Sequence, residues 1–147
     1  MALFQSFDIA ASGMTAQRFR MDTIAENIAN VNTTRTEDGT PYRRKVVSFR
    51  EKLTSPTFSD AMKKATEFRG DGVKVSGIYN DMSDYIMEYD PEHPDADENG
   101  YVSYPNVNTV TEMTNLIDSS RAYEANATAF NALKSIASAG IQIGNGS

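Results

Sequence analysis

Proline is absent from the first 40 residues and from everything after residue 105. All five prolines, Pro41, Pro56, Pro91, Pro94 and Pro105, fall in between. Glycine divides the chain in a similar way: Gly13 is the only one before Gly39, and none occurs from Asn106 to Ala139. These two residues are the strongest interrupters of regular structure. The pattern therefore predicts two long helices flanking a turn-rich middle.

The first end carries a heptad. Phe7, Met14, Met21 and Ile28 recur every seventh residue, and Leu3, Ala10, Gln17, Ile24 and Val31 form a second row with one polar member. Such a seam suits either a coiled coil or an amphipathic helix laid on its own domain's core. At the other end Asn108 or Thr109 offers a cap, with Glu112 near the capping-box position. From there Leu116, Tyr123, Phe130 and Ala137 recur by sevens, joined by Met113, Ala127, Leu133 and Ile136. This second helix spans about 33 residues, or roughly 50 Å, with Gly140, Gly144 and Gly146 expected to end it.

The middle reads as β-structure. Apolar residues alternate in Gly72–Asn80 and Asp84–Asp90, and Asp81-Met82-Ser83 between them suggests a hairpin. Tyr42–Leu53 and Gly100–Tyr104 are further strand candidates, while Ser59–Phe68 reads as either a short helix or a loop. The expected fold class is α+β, with long N- and C-terminal helices in a coiled-coil-like domain and a small β-rich middle domain. Residues 1–33 and 107–143 are assigned to the helical domain. Residues 34–106 form the β-rich one, with an acidic loop at 81–98.

An antiparallel pair of such helices covers only one flank of each apolar stripe. The remaining surface argues for burial against other subunits. The candidate assembly residues are Phe7, Met14, Met21, Ile24, Ile28 and Val31 on the first helix. On the second they are Met113, Leu116, Tyr123, Phe130 and Leu133.

Chemistry is hard to build from this chain. It has no cysteine and one histidine, His93, so the usual nucleophile–base sets are missing. Gly70-Asp71-Gly72 lacks the lysine of a phosphate loop. Asp95-Ala96-Asp97-Glu98-Asn99-Gly100 does reproduce the opening of a calcium loop, but the twelfth position, normally glutamate, is Asn106. A turn at Asn99-Gly100 feeding a strand is the simpler reading, and a calcium-dependent binding module is the alternative from another class. No catalytic, cofactor-binding or metal-binding residue is assigned.

The net charge of −6 argues against nucleic acid or an anionic membrane as main partner. No apolar run is long enough to enter a bilayer, and residues 1–8 have neither the basic region nor the apolar core of a cleaved secretory signal. Arg43-Arg44-Lys45 lies in a strand candidate and is expected to form a solvated or subunit-facing patch. The basic face around Arg43–Lys52 and the acidic segment Asp81–Glu98 are each expected to meet opposite charge on neighbouring subunits.

Two segments, Ser12-Gly13-Met14-Thr15-Ala16-Gln17 and Ile24-Ala25-Glu26-Asn27-Ile28-Ala29-Asn30-Val31-Asn32-Thr33, resemble the N-terminal signature of flagellar rod and hook proteins. Tyr42-Arg43-Arg44-Lys45-Val46-Val47, the stretch Tyr89 to Asp97, Gly100-Tyr101-Val102 and Tyr104-Pro105-Asn106-Val107-Asn108 narrow the likeness. With Glu112-Met113 and Ser120 to Asn126 they resemble the proximal-rod family of the flagellar basal body, the FlgC type. The resemblance implies a non-enzymatic structural subunit of a hollow axial shaft, in the basal body on the periplasmic side of the inner membrane. It implies other rod subunits and an export-gate or basal-body adaptor as partners, in homo- and hetero-oligomeric helical assembly. It also implies type III export, terminal helices packed in an inner tube and the middle forming an outer domain. A distal-rod or hook subunit is the alternative within the same superfamily.

Overall fold

The computed structural model describes residues 2–52 and 71–145. The ambiguous stretch Ser59–Phe68 lies outside them. The elements run α1 (Ala2–Ala29), β1 (Lys45–Glu51), β2 (Val73–Asn80), β3 (Ile86–Tyr89), β4 (Tyr101–Tyr104) and α2 (Thr109–Asn145). This is an α+β chain with long helices at both ends and short antiparallel strands between them.

Two compact units share these elements. The first comprises residues 1–19, 49–76 and 119–147, the second residues 20–48 and 77–118. In the first unit the helices come together through small residues. Ala10, Ala16 and Ser119 are buried, and a Cβ added at Gly13 would stand 2.6 Å from Asn126 Oδ1. Glycine therefore sits inside α1 because the opposing side chain occupies the space a larger residue would need. Farther along, the Phe7 and Phe130 rings meet edge to face at 4.9 Å.

Ser12 ties the strand region to this pair. Its hydroxyl donates to the Ile9 carbonyl at 2.7 Å and accepts the Val73 amide at 3.0 Å. Gly72 precedes that amide at φ +96°, and a Cβ there would stand 2.3 Å from Ser12 Oγ. Only glycine fits both the conformation and the approach. Gln17, the polar member of the seam, keeps its Oε1 buried without a hydrogen-bond partner among the described residues.

In the second unit Ile24, Tyr42, Val102 and Val107 form the buried core, with Pro105 beside them. The expected hairpin across Asp81–Ser83 does not form: β2 pairs with β1, and β3 with β4. Three bonds redirect the chain there. The Asp81 amide donates to the Arg44 carbonyl at 2.8 Å, extending the pairing with β1. The Asn106 side-chain amide then holds the Asp81 and Ser83 carbonyls at 3.0 and 3.3 Å. The β3–β4 register sets Tyr89 opposite Tyr101 and Glu88 opposite the buried Val102.

Two helix-end expectations need correction. Asn108 does cap α2, accepting the Thr111 amide at 3.0 Å, but that makes Thr111 the third helical residue and removes Glu112 from a capping box. Nor do Gly140 and Gly144 end α2, which continues to Asn145. Neither has a positive φ. A helical glycine costs about 1 kcal/mol relative to alanine without breaking the ladder.

Candidate functional site

The second unit contains a polar knot assembled from four segments. Asn27 on α1 and Glu112 in the first turns of α2 are both 0% exposed. Arg44 precedes β1, and Asp81 follows β2. Arg44 Nη2 and Nε donate to Glu112 Oε1 at 2.7 and 3.0 Å, and Nη1 donates to Asp81 Oδ2 at 3.3 Å. The other carboxylate oxygen, Glu112 Oε2, accepts from Asn27 Nδ2 at 2.9 Å.

Asn27 is used in full. Its Nδ2 also donates to the Lys45 carbonyl at 2.9 Å, and its Oδ1 accepts the Lys45 amide and the Tyr42 hydroxyl, each at 2.9 Å. An asparagine at this place completes the start of β1 as a neighbouring strand would. Aspartate would lack the two donated bonds, and leucine would leave the Lys45 amide and carbonyl unpaired.

The electrostatics follow from these contacts. Burial alone would lower the Arg44 pKa, but the hydrogen bond and charge of Glu112, then those of Asp81, outweigh it and raise the value. Asp81 is held below its usual range by the backbone amide and hydroxyl of Ser83, and further by Arg44. Burial pushes the Tyr42 hydroxyl up to about 12, with Glu26 and Glu112 adding to the effect. The knot therefore holds the Arg44 charge between two carboxylates and keeps the Tyr42 hydroxyl protonated well above neutrality.

Arg43-Arg44-Lys45, expected to face solvent or a neighbour, instead finds its partners within the chain. Arg43 lies 4.3 Å above the Tyr85 ring and donates to the Asp81 and Ser83 carbonyls. Lys45 pairs with Glu26 and approaches the Tyr42 ring. These residues organise the unit before any partner arrives.

The calcium-like loop is likewise committed to local structure. Asp97 Oδ1 accepts the Asn99 and Tyr101 amides at 2.8 and 2.9 Å, and Gly100 takes φ +81°. Asp95 accepts the Thr34 hydroxyl at 2.8 Å and stands 3.6 Å from Arg35. Asn106 Oδ1 accepts the Arg44 amide at 2.9 Å. His93 Nδ1 accepts the Asp95 amide at 3.1 Å, so the histidine shapes its own loop. Asp97 closes a turn, and Asp95 ties the loop to Thr34 and Arg35.

Of the candidate assembly residues, Ile24 is buried. Phe7, Met14, Met21, Ile28, Val31, Leu116, Tyr123, Phe130 and Leu133 are half-buried, and Met113 is exposed. Phe7 and Phe130 meet directly. The knot residues Asn27, Tyr42 and Glu112 were not among the candidates. Their signal was present all the same, since each lies inside a segment that carried the flagellar resemblance.

Comparison with known proteins agrees with that resemblance. Residues 7–35 match the family model described as flagella basal body rod protein, and residues 98–143 that described as flagellar basal body rod FlgEFG protein C-terminal. The chain is similar to flagellar basal-body rod protein FlgC of Borreliella burgdorferi, at 46% identity over 92% of this chain and 93% of the relative. FlgC of Bacillus subtilis is 44% identical, covering 98% of this chain and 99% of its own. FlgC of Salmonella typhimurium is 40% identical, with 92% and 93% covered.

Proposed function

The chain belongs to the flagellar basal-body rod proteins of the FlgC type, and from that premise we propose that it builds the proximal segment of the rod. It is a structural subunit and not an enzyme, and it assembles with other rod subunits. No described helix is long and apolar enough to cross a membrane. The relatives match along nearly the whole chain, which favours this reading over a distal-rod or hook subunit. The commitment of Asp97 to a turn and of Asp95 to Thr34 favours it over a calcium-dependent module.

In this reading residues 1–33 and 107–143 line the inner tube, and residues 34–106 form the outer domain. The subunit leaves the cytoplasm through the flagellar type III channel without a cleaved signal, and an export-gate or basal-body adaptor receives it. The assembly surface comprises Phe7, Met14, Met21, Ile28 and Val31 with Met113, Leu116, Tyr123, Phe130 and Leu133, while Ile24, buried in its own unit, backs it from within. The observation that carries this is the apolar surface left on both helices. Phe4, Ile9 and Phe19 on α1 and Val110, Met113 and Ile117 on α2 are exposed in the single chain. Side chains of this size contribute ~1.5–3 kcal/mol each when covered, which suits completion of the fold by neighbours.

Deleting the gene and isolating basal bodies tests the reading. The expected result is loss of motility and of rods beyond the inner membrane, restored by the wild-type chain but not by Ile28→Asp. Complete rods in the deletion strain would overturn it.

A further inference from the structure

The two ends of α2 carry the same apolar spacing. Val110, Met113 and Ile117 lie three and four residues apart and are 52–74% exposed. Ile136, Ala139 and Ile143 repeat that spacing 26 residues later, with both isoleucines at least 63% exposed and Ala139 exposed as well. Residues spaced this way occupy one helical face.

Within the first unit the later stripe extends beyond its partner helix. Phe7 stands against Phe130 and Gly13 against Asn126, so the helices run antiparallel. Counting back from Phe7, Ala2 falls abreast of about residue 135, which leaves ten residues, or roughly 15 Å, of α2 running on. An added Cβ at Gly140 or Gly144 would meet nothing within 4 Å, in contrast to Gly13.

Charge points to the occupant. The last turn of α2 has no basic residue to offset the negative end of its dipole. One turn beyond Ile117, on the face of the earlier stripe, stands the exposed Arg121. We infer that the Ile136–Ile143 stripe of one copy packs alongside the Val110–Ile117 stripe of a second copy. The two helices run parallel with a stagger of 26 residues, and Arg121 lies at the carbonyl end of the neighbour's α2. This rests on the rod-subunit reading and deepens it. The contact is heterologous, so each copy offers a free stripe to the next and the array stays open. The stagger is about 39 Å at the helical rise.

The chain has no native cysteine, which makes disulfide trapping clean. In Met113→Cys/Ala139→Cys the two thiols lie about 39 Å apart on one helix and cannot join within a chain. Oxidising basal bodies and the concentrated full-length chain should give a ladder of trimers and larger species. Mixed single variants should give a dimer whose peptide map joins position 113 to 139. Adding Ile143→Asp to the double variant should remove the ladder and leave the circular dichroism spectrum unchanged. Absence of the 113–139 link, or like-to-like links only, overturns the contact. If the single variants support swimming and rods assemble while that link is absent, the rod reading stands and only the contact fails. If the deletion strain swims with complete rods, the reading beneath it fails as well.

Discussion

Asn27 and Ile143 both sit on helices, in opposite circumstances. Around Asn27 every polar atom has a partner, four segments converge, and the buried Glu112 carboxylate is paired with Arg44. Around Ile143 the helix carries large apolar side chains that are mostly exposed. One region is complete within a single chain, and the other is left exposed there and is completed by a neighbour only in the contact proposed above. A substitution should therefore act on stability in the first region and on assembly in the second.

The largest effect is expected from Glu112→Ala. It removes the acceptor of Arg44 and of Asn27 at once and leaves Asp81 as the only carboxylate on the guanidinium. Breaking a fully buried pair from one side costs ~3–5 kcal/mol, and because Arg44 stays partly exposed and paired with Asp81 the loss should fall at the lower end of that range. Urea denaturation of the monomer should register it, and a loss below 1 kcal/mol would mean the knot is not closed in solution.

Gly13→Ala comes next. The new methyl group must displace Asn126, whose amide donates to the Ala122 carbonyl at 2.7 Å. Overpacking of this kind costs ~1–3 kcal/mol. The same melt should show it, and Asn126→Gly on the Gly13→Ala background should restore part of it.

Tyr42→Phe removes the hydroxyl donated to Asn27 and should cost ~0.5–1.5 kcal/mol at neutral pH. Its sharper signature is at alkaline pH. A hydroxyl raised from 10.0 to about 12 in the folded chain stabilises the fold fully below pH 10, and that contribution is lost as pH rises towards 12. The variant should lose less stability than wild type between pH 10 and 12, and parallel curves would argue against the buried hydroxyl.

The smallest effect has the opposite sign. Gly140→Ala adds a methyl group into open space and should strengthen α2 by up to ~1 kcal/mol, seen as slower hydrogen exchange in its last turns. Faster exchange there would place Gly140 in a contact that the single chain does not show.

Both helices were legible because long stretches free of proline and glycine leave few other options. The strands were legible as segments, since alternation reports one covered face. Their pairing was not, because it depends on where Asn106 and Arg44 stand once the chain is folded. The same limit applies to Glu112. Its spacing from Asn108 suggested a cap, and only the approach of Arg44 and Asn27 reveals a buried acid. Arg43-Arg44-Lys45 looked like a free basic patch because the partners lie far away in sequence. Gly140 and Gly144 misled for another reason: glycine permits a helix to end but does not compel it.

The bond between Asn27 and Glu112 closes a separation of 85 residues. It sets a clock on the life of the chain. While Glu112 is still inside the ribosome, Asn27 has no carboxylate to meet, and no fragment ending earlier can complete the unit. In the proposed export route the same pair stays apart until both residues are on one side. Loop closure over such a span slows folding. Within the second unit, the bond that locks it is thus among the last that the chain can form.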